Sequence, residues 1–179
     1  MSETRWLDQD EQKTWRAFMF ASKMLFEQFD QDLRRGAAIP TTHYEVLARL
    51  SEAPERRLRM SQLAELSQSS RSHLSHTIAS LQRVGWVDRE SCSTDRRGAF
   101  AVLTDSGFSA LESASHVHVE SVRRHLFDQI GDSQVEQLRA IFEQLLQHLV
   151  TVQEMTSTAS TLLVDPVPTS TSAALAAVD

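Results

Sequence analysis

Apolar side chains return at steps of three and four along most of this 179-residue chain, and helix start and stop signals bracket the runs. The first run reads Trp15, Phe18, Met19, Ser22, Leu25, Phe26, Phe29 and Leu33. Asp8 with Glu11 three residues on is a capping box that opens it, and Gly36 and Pro40 end it. Thr42 with Glu45 repeats the box pattern, and Tyr44, Leu47 and Leu50 form the buried face of the helix that follows. After Pro54, Leu58 and Met60 predict a short strand. Ser61 then caps a brief helix with Leu63, Ala64 and Leu66 inward. A further helix runs from Ser69 or Ser70 to Val84, with Leu74, Ile78 and Leu81 facing the core.

The period then changes. Gly85 stops the helix, Trp86 to Arg89 read as a strand, Thr94 to Gly98 as a tight basic turn, and Ala99 to Leu103 as a second strand. A helix from Thr104 or Asp105 carries Phe108, Leu111, Ala114, His118, Val122 and Leu126 until Gly131 breaks it. Ser133 with Glu136 opens the last helix, whose stripe is Val135, Leu138, Phe142, Leu145, Leu149 and Val152. From about Thr156 the chain is Ser, Thr, Ala and Pro, too poor in apolar pattern to pack, and disorder is expected. The fold class is therefore mostly α with a small β-hairpin.

Composition narrows the class. No run of about 18 apolar residues predicts a membrane span, and no apolar stretch follows the N-terminus as a signal peptide requires. The single cysteine, Cys92, has no internal partner, so a reducing cytoplasm is the expected location. Net charge is −6, which argues against nucleic acid until its distribution is read. Between Pro54 and Gly98, eight arginines face five carboxylates, a local +3, so the remainder sits at −9. Local charge meets phosphates, whereas total charge governs solubility.

The helices at 61–67 and 70–84 are joined by almost nothing, which is helix-turn-helix spacing. Opposite its apolar stripe, the second helix carries Arg71, Ser72, His73, Ser75, His76, Ser80 and Arg83. Small polar side chains let a helix approach base edges closely, and Arg71 and Arg83 can hold phosphates at either end. A face that merely needed water would more usually show Glu and Lys pairs. The adjoining hairpin puts Arg96 and Arg97 at its tip, where a guanidinium on a thin loop reaches the minor groove.

Helix-turn-helix, then Gly85-Trp86-Val87 with Arg89, then Asp95-Arg96-Arg97-Gly98, then Leu103-Thr104 with Gly107, resembles the MarR family of winged-helix transcriptional regulators. The resemblance covers roughly residues 10 to 152. It implies a winged helix-turn-helix lobe over 41–104, with helices at 8–35 and 105–154 interlocking two copies into a homodimer and 156–179 as a tail. It implies that Asp95 orients the wing loop, that Arg97 enters the minor groove, and that Arg96 meets the backbone. The base-reading face falls on Ser72, His73, Ser75 and His76, and His76 stands where many relatives carry Arg. The mechanism implied is repression by occlusion of a pseudo-palindromic double-stranded DNA operator.

Family members often release DNA when a small aromatic or phenolic effector enters a crevice beside the dimer helices. Trp15, Arg16, Met19 and His43 are the candidates to line one here, with Leu47 and Met60 near by. Two other readings keep a place. Oxidation of Cys92 in the wing stem would make the chain a redox-responsive regulator. His73 and His76 at helical spacing would suit a metal-binding helical protein, but no carboxylate completes the pair. No phosphate loop, serine elbow or paired carboxylates occur, so neither an enzyme nor a cofactor is expected.

Overall fold

A computed structural model describes residues 4–91 and 98–156, and the chain forms two compact units, one up to Leu126 and a second from Phe127. The first unit contains α1 (Gln9–Ala37), α2 (Thr41–Glu52), β1 (Arg57–Arg59), α3 (Met60–Leu66), α4 (Arg71–Arg83), β2 (Val87–Ser91), β3 (Ala99–Leu103) and α5 (Asp105–His125). The second contains a 3₁₀ turn at Phe127–Gln129 and α6 (Asp132–Thr156). Mostly helical with one small sheet is the class expected from the periodicity.

The capping box at the start of α1 forms as read: Asp8 accepts from the N–H of Glu11, and Glu11 accepts from that of Asp8. The end differs. Gly36 lies inside α1, where a Cβ would sit 2.7 Å from Val117 on α5, so it serves close helix packing rather than termination. The left-handed terminal position falls to Ala38 (φ 56), whose N–H donates to the Leu33 carbonyl. Pro40, not Thr42, is the N-cap of α2, and no side-chain bond closes a box there. Its fixed φ near −65 supplies the entry geometry instead.

Met60 belongs to α3 rather than to the strand, and Arg59 rather than Ser61 is the cap position. The reason is Gln62, whose Oε1 accepts from the Arg59 N–H at 3.3 Å and pulls the helix start forward. In the second unit Ser133 is likewise not the cap. Gln134 reaches back to accept from the Gly131 N–H at 2.9 Å, and α6 starts at Asp132, ahead of Ser133.

The turn from α3 into α4 is a Schellman motif. Ser69 donates to Ala64 and Gln68 to Glu65, each at 3.0 Å, with Gln68 left-handed at φ 46. The exit of α4 repeats it, with Trp86 donating to Leu81 and Gly85 to Gln82 at 3.0 Å and Gly85 at φ 75. Both ends of α4 are thus fixed by backbone bonds. Beneath it Leu74, Ile78 and Leu81 pack into one core with Leu47, Leu50, Leu63, Val87 and Leu103. The sheet has order β1-β3-β2 and is antiparallel throughout, with Leu58 and Arg89 both opposite Ala101.

Between α1 and α5 a polar cluster adjoins the apolar packing of Leu33 with Ala114 and Val117. Asp32 accepts from the fully buried Ser121 hydroxyl at 2.8 Å and lies 2.9 Å from His125 Nε2. Gln28 donates to its other oxygen.

Candidate nucleic-acid interface

Helix α4 exposes one face and buries the other. Residues advance about 100° per position, so Ser72, His76, Ala79 and Arg83 stand opposite Leu74, Ile78 and Leu81. All four are exposed, and no carboxylate occurs anywhere along the helix. Ser70 caps its start, accepting from the His73 N–H at 3.2 Å. Arg83 is held against the helix by a bond from Nε to the Ala79 carbonyl.

The remaining residues of the expected face divide between its two edges. Arg71 and Ser75 turn toward the sheet and line a cleft of about 280 Å³ with Arg59, Met60, Ser61, Arg89, Gly98 and Ala99. His73 turns the other way. It lines a cleft of about 230 Å³ with Thr42, Glu45, Ser67 and Thr77, between α2 and the α3–α4 turn. His73 and His76 therefore do not share one direction. Among the described residues no group of three or more His, Cys, Asp or Glu could hold a metal ion.

Ala79 and Arg89 are not among the DNA contacts expected from the sequence, although Arg89 belongs to the wing motif. Ala79 has no polar group to mark it, but a small residue at the centre of an exposed face permits close approach. Arg89 is signalled by strand alternation, since β2 places it on the helix-facing side with Leu58 and Ala101. The outer side of the sheet holds Arg57 over the Phe100 ring at 4.3 Å and 3.3 Å from Glu90. Asp95, Arg96, Arg97 and Cys92 fall outside the described residues.

The expected effector residues are spread along α1. His43 is half-buried on α2, and its pKa is lowered by burial and then by the charges of Arg34 and Arg83. Trp15 lies 19 residues before Arg34, about 28 Å along the helix. One chain by itself does not bring Trp15, Arg16 and Met19 beside His43. Leu47 is fully buried in the lobe core, and Met60 lines the arginine cleft.

Residues 39–98 match the sequence model of the MarR family. Sco3205, a MarR family transcriptional regulator from Streptomyces coelicolor, has a crystal structure in complex with DNA that is 40% identical to this chain. The match covers 83% of this chain and 93% of that one, with a TM-score of 0.77. The chain belongs to the MarR family. AbsC, a MarR family transcriptional regulator also from Streptomyces coelicolor, is 38% identical, with 82% and 98% coverage and a TM-score of 0.75. The HTH-type transcriptional regulator PecS of Dickeya dadantii (strain 3937) is 29% identical over 90 residues, 50% of this chain. That match spans about half the length of PecS, 54%. The MarR assignment gives α3 and α4 their roles as the two helices of a helix-turn-helix, and β2 and β3 theirs as the wing stem. Among the described residues no helix is long and apolar enough to cross a membrane.

Proposed function

We propose that this MarR protein binds a pseudo-palindromic duplex operator as a homodimer and represses by occluding it. The carrying observation is the α4 surface: Ser72, His76, Ala79 and Arg83 exposed together, free of carboxylates, on a helix anchored at both ends. Such a face approaches base edges without electrostatic penalty, and DNA in the Sco3205 structure makes the same reading economical. Arg97, with Asp95 orienting its loop, enters the minor groove, and Arg96 meets the backbone.

The partner is a second copy. On α1, Trp15, Phe20, Met24 and Phe26 are all more than half exposed, on opposite sides of the helix. A lone surface helix has one apolar stripe; one that is apolar on two sides needs neighbours on both. Within the second unit, Ile141, Leu146 and Leu149 are also more than half exposed. Helices 8–35 and 105–154 make the dimer. A small aromatic effector that releases DNA then meets Trp15, Arg16 and Met19 from one chain and His43 from the other.

Gel shifts and sedimentation test this. Arg97→Ala is expected to weaken operator binding strongly, and His76→Ala to alter base preference more than affinity. A monomer in sedimentation, or Arg97→Ala binding like wild type, contradicts the respective half. Calorimetry with a panel of phenolic acids showing neither heat nor loss of operator binding would remove the effector.

A further inference from the structure

We propose that Arg71 and Arg89 clamp one DNA backbone phosphate between them, tying the recognition helix to the wing stem; this rests on the operator-binding reading above. Arg71 starts α4 and Arg89 sits mid-strand on β2, and both line the 280 Å³ cleft. Their neighbours there include the hydroxyl-bearing Ser61 and Ser75 and the backbone of Gly98.

Counter-charge decides what the cleft takes. Other arginines of the lobe are already occupied: Arg56 is 3.2 Å from Asp105, Arg57 is 3.3 Å from Glu90, and Arg83 donates to Ala79. Arg71 and Arg89 have no ion pair or side-chain hydrogen bond among the described residues. Among the described residues no carboxylate lines the cleft. Two unpaired cations facing one concavity repel each other, and a bound anion removes that cost. A phosphodiester suits it: one charge, two acceptor oxygens, and guanidinium forks that bind such oxygens in pairs. The start of the 13-residue α4 adds N–H groups not used within the helix.

The consequence is geometric. One phosphate held from both sides fixes the angle between the helix in one groove and the wing in the next. The contact is independent of base sequence, so it sets affinity and register rather than preference.

Fluorescence anisotropy with the full chain and a duplex selected by it tests the clamp, using a series with single neutral methylphosphonates. Wild type is expected to lose roughly tenfold at one phosphate per half-site, and Arg71→Gln and Arg89→Gln to lose roughly tenfold on unmodified DNA. In either variant the same methylphosphonate is expected to cost almost nothing further. Arg89→Lys is expected to recover part of the loss, and unchanged melting shows that the variants fold. Different phosphates silenced by the two variants overturn the shared clamp, and full sensitivity kept in both overturns the site. Wild type that ignores duplex DNA altogether sinks the operator reading itself, a separate outcome.

Discussion

Gly107→Ala tests how the wing root is built. Gly107 lies in the first turn of α5, buried, with no need for a left-handed backbone. Its constraint is space: a Cβ there would sit 2.1 Å from the Trp86 carbonyl oxygen and 2.9 Å from Leu103 Cδ1. Contacts below 3.0 Å are not sustained, so the Trp86 carbonyl must retreat by about 0.9 Å. That carbonyl accepts from the Thr104 N–H at 3.1 Å, and Trp86 N–H closes the α4 exit by donating to Leu81. Overpacking costs about 1–3 kcal/mol and a weakened buried hydrogen bond about 1 more, against at most about 1 recovered from helix propensity. A net loss of about 1–3 kcal/mol follows, a large part of a typical stability. For a chain of this size that lowers Tm by roughly 2–12 °C. Thermal unfolding followed by circular dichroism reads it. The controls are internal: Gly36→Ala meets only the movable Val117 side chain at 2.7 Å, and Gly131→Ala meets nothing closer than 3.9 Å. The expected order of damage is Gly107, Gly36, Gly131. A Gly107→Ala protein melting within a degree of wild type refutes the close-approach argument.

Other expectations follow from the same contacts. Gln68→Gly relieves a left-handed non-glycine residue at the α3–α4 turn and should stabilise by about 1 kcal/mol, seen as a higher urea midpoint. Asp32 is held below its ordinary value near 3.8, first by the Ser121 hydroxyl and, after opposing burial, by His125. A depressed carboxylate contributes stability above its unfolded pKa that is lost as pH falls through the folded one, so acid unfolding should begin at higher pH in Ser121→Ala. His118, between Tyr44 at 4.6 Å and Phe29 at 6.0 Å, is pushed below 6.5 by burial. Its neutral ring contributes stability present above 6.5 and lost on acidification; His118→Leu should flatten the unfolding free energy between about pH 7 and 5.

Much of the fold was legible because the helices obey their apolar period and the wing sits between two unmistakable turns. Boundaries were less so. Gly36, Thr42, Ser61 and Ser133 all have the residue types of helix ends, yet the ends lie elsewhere. A capping residue type shows only that a bond is available; Gln62 and Gln134 reached back and made theirs first. Glycine reads as punctuation, but Gly36 and Gly107 are glycines because a neighbour approaches closely. The α4 face was readable as a set, although its split into a centre and two flanks depends on what α2 and the sheet place beside it. Arg89 was legible as part of the wing motif but not as a contact, because an arginine in an exposed strand looks solvated until the packing of α4 gives it a cleft. The spread of Trp15, Arg16, Met19 and His43 over a 29-residue helix and its neighbour is a distance that spacing alone does not convey.

The most direct test of operator recognition by α4 is to let the purified chain select duplexes from a random pool and to sequence what it keeps. The account expects an inverted repeat whose half-site centres lie about 10–10.5 base pairs apart or a multiple of that, with binding that weakens steeply as salt rises. Recovery of no enriched sequence, or of one without two-fold symmetry, contradicts it.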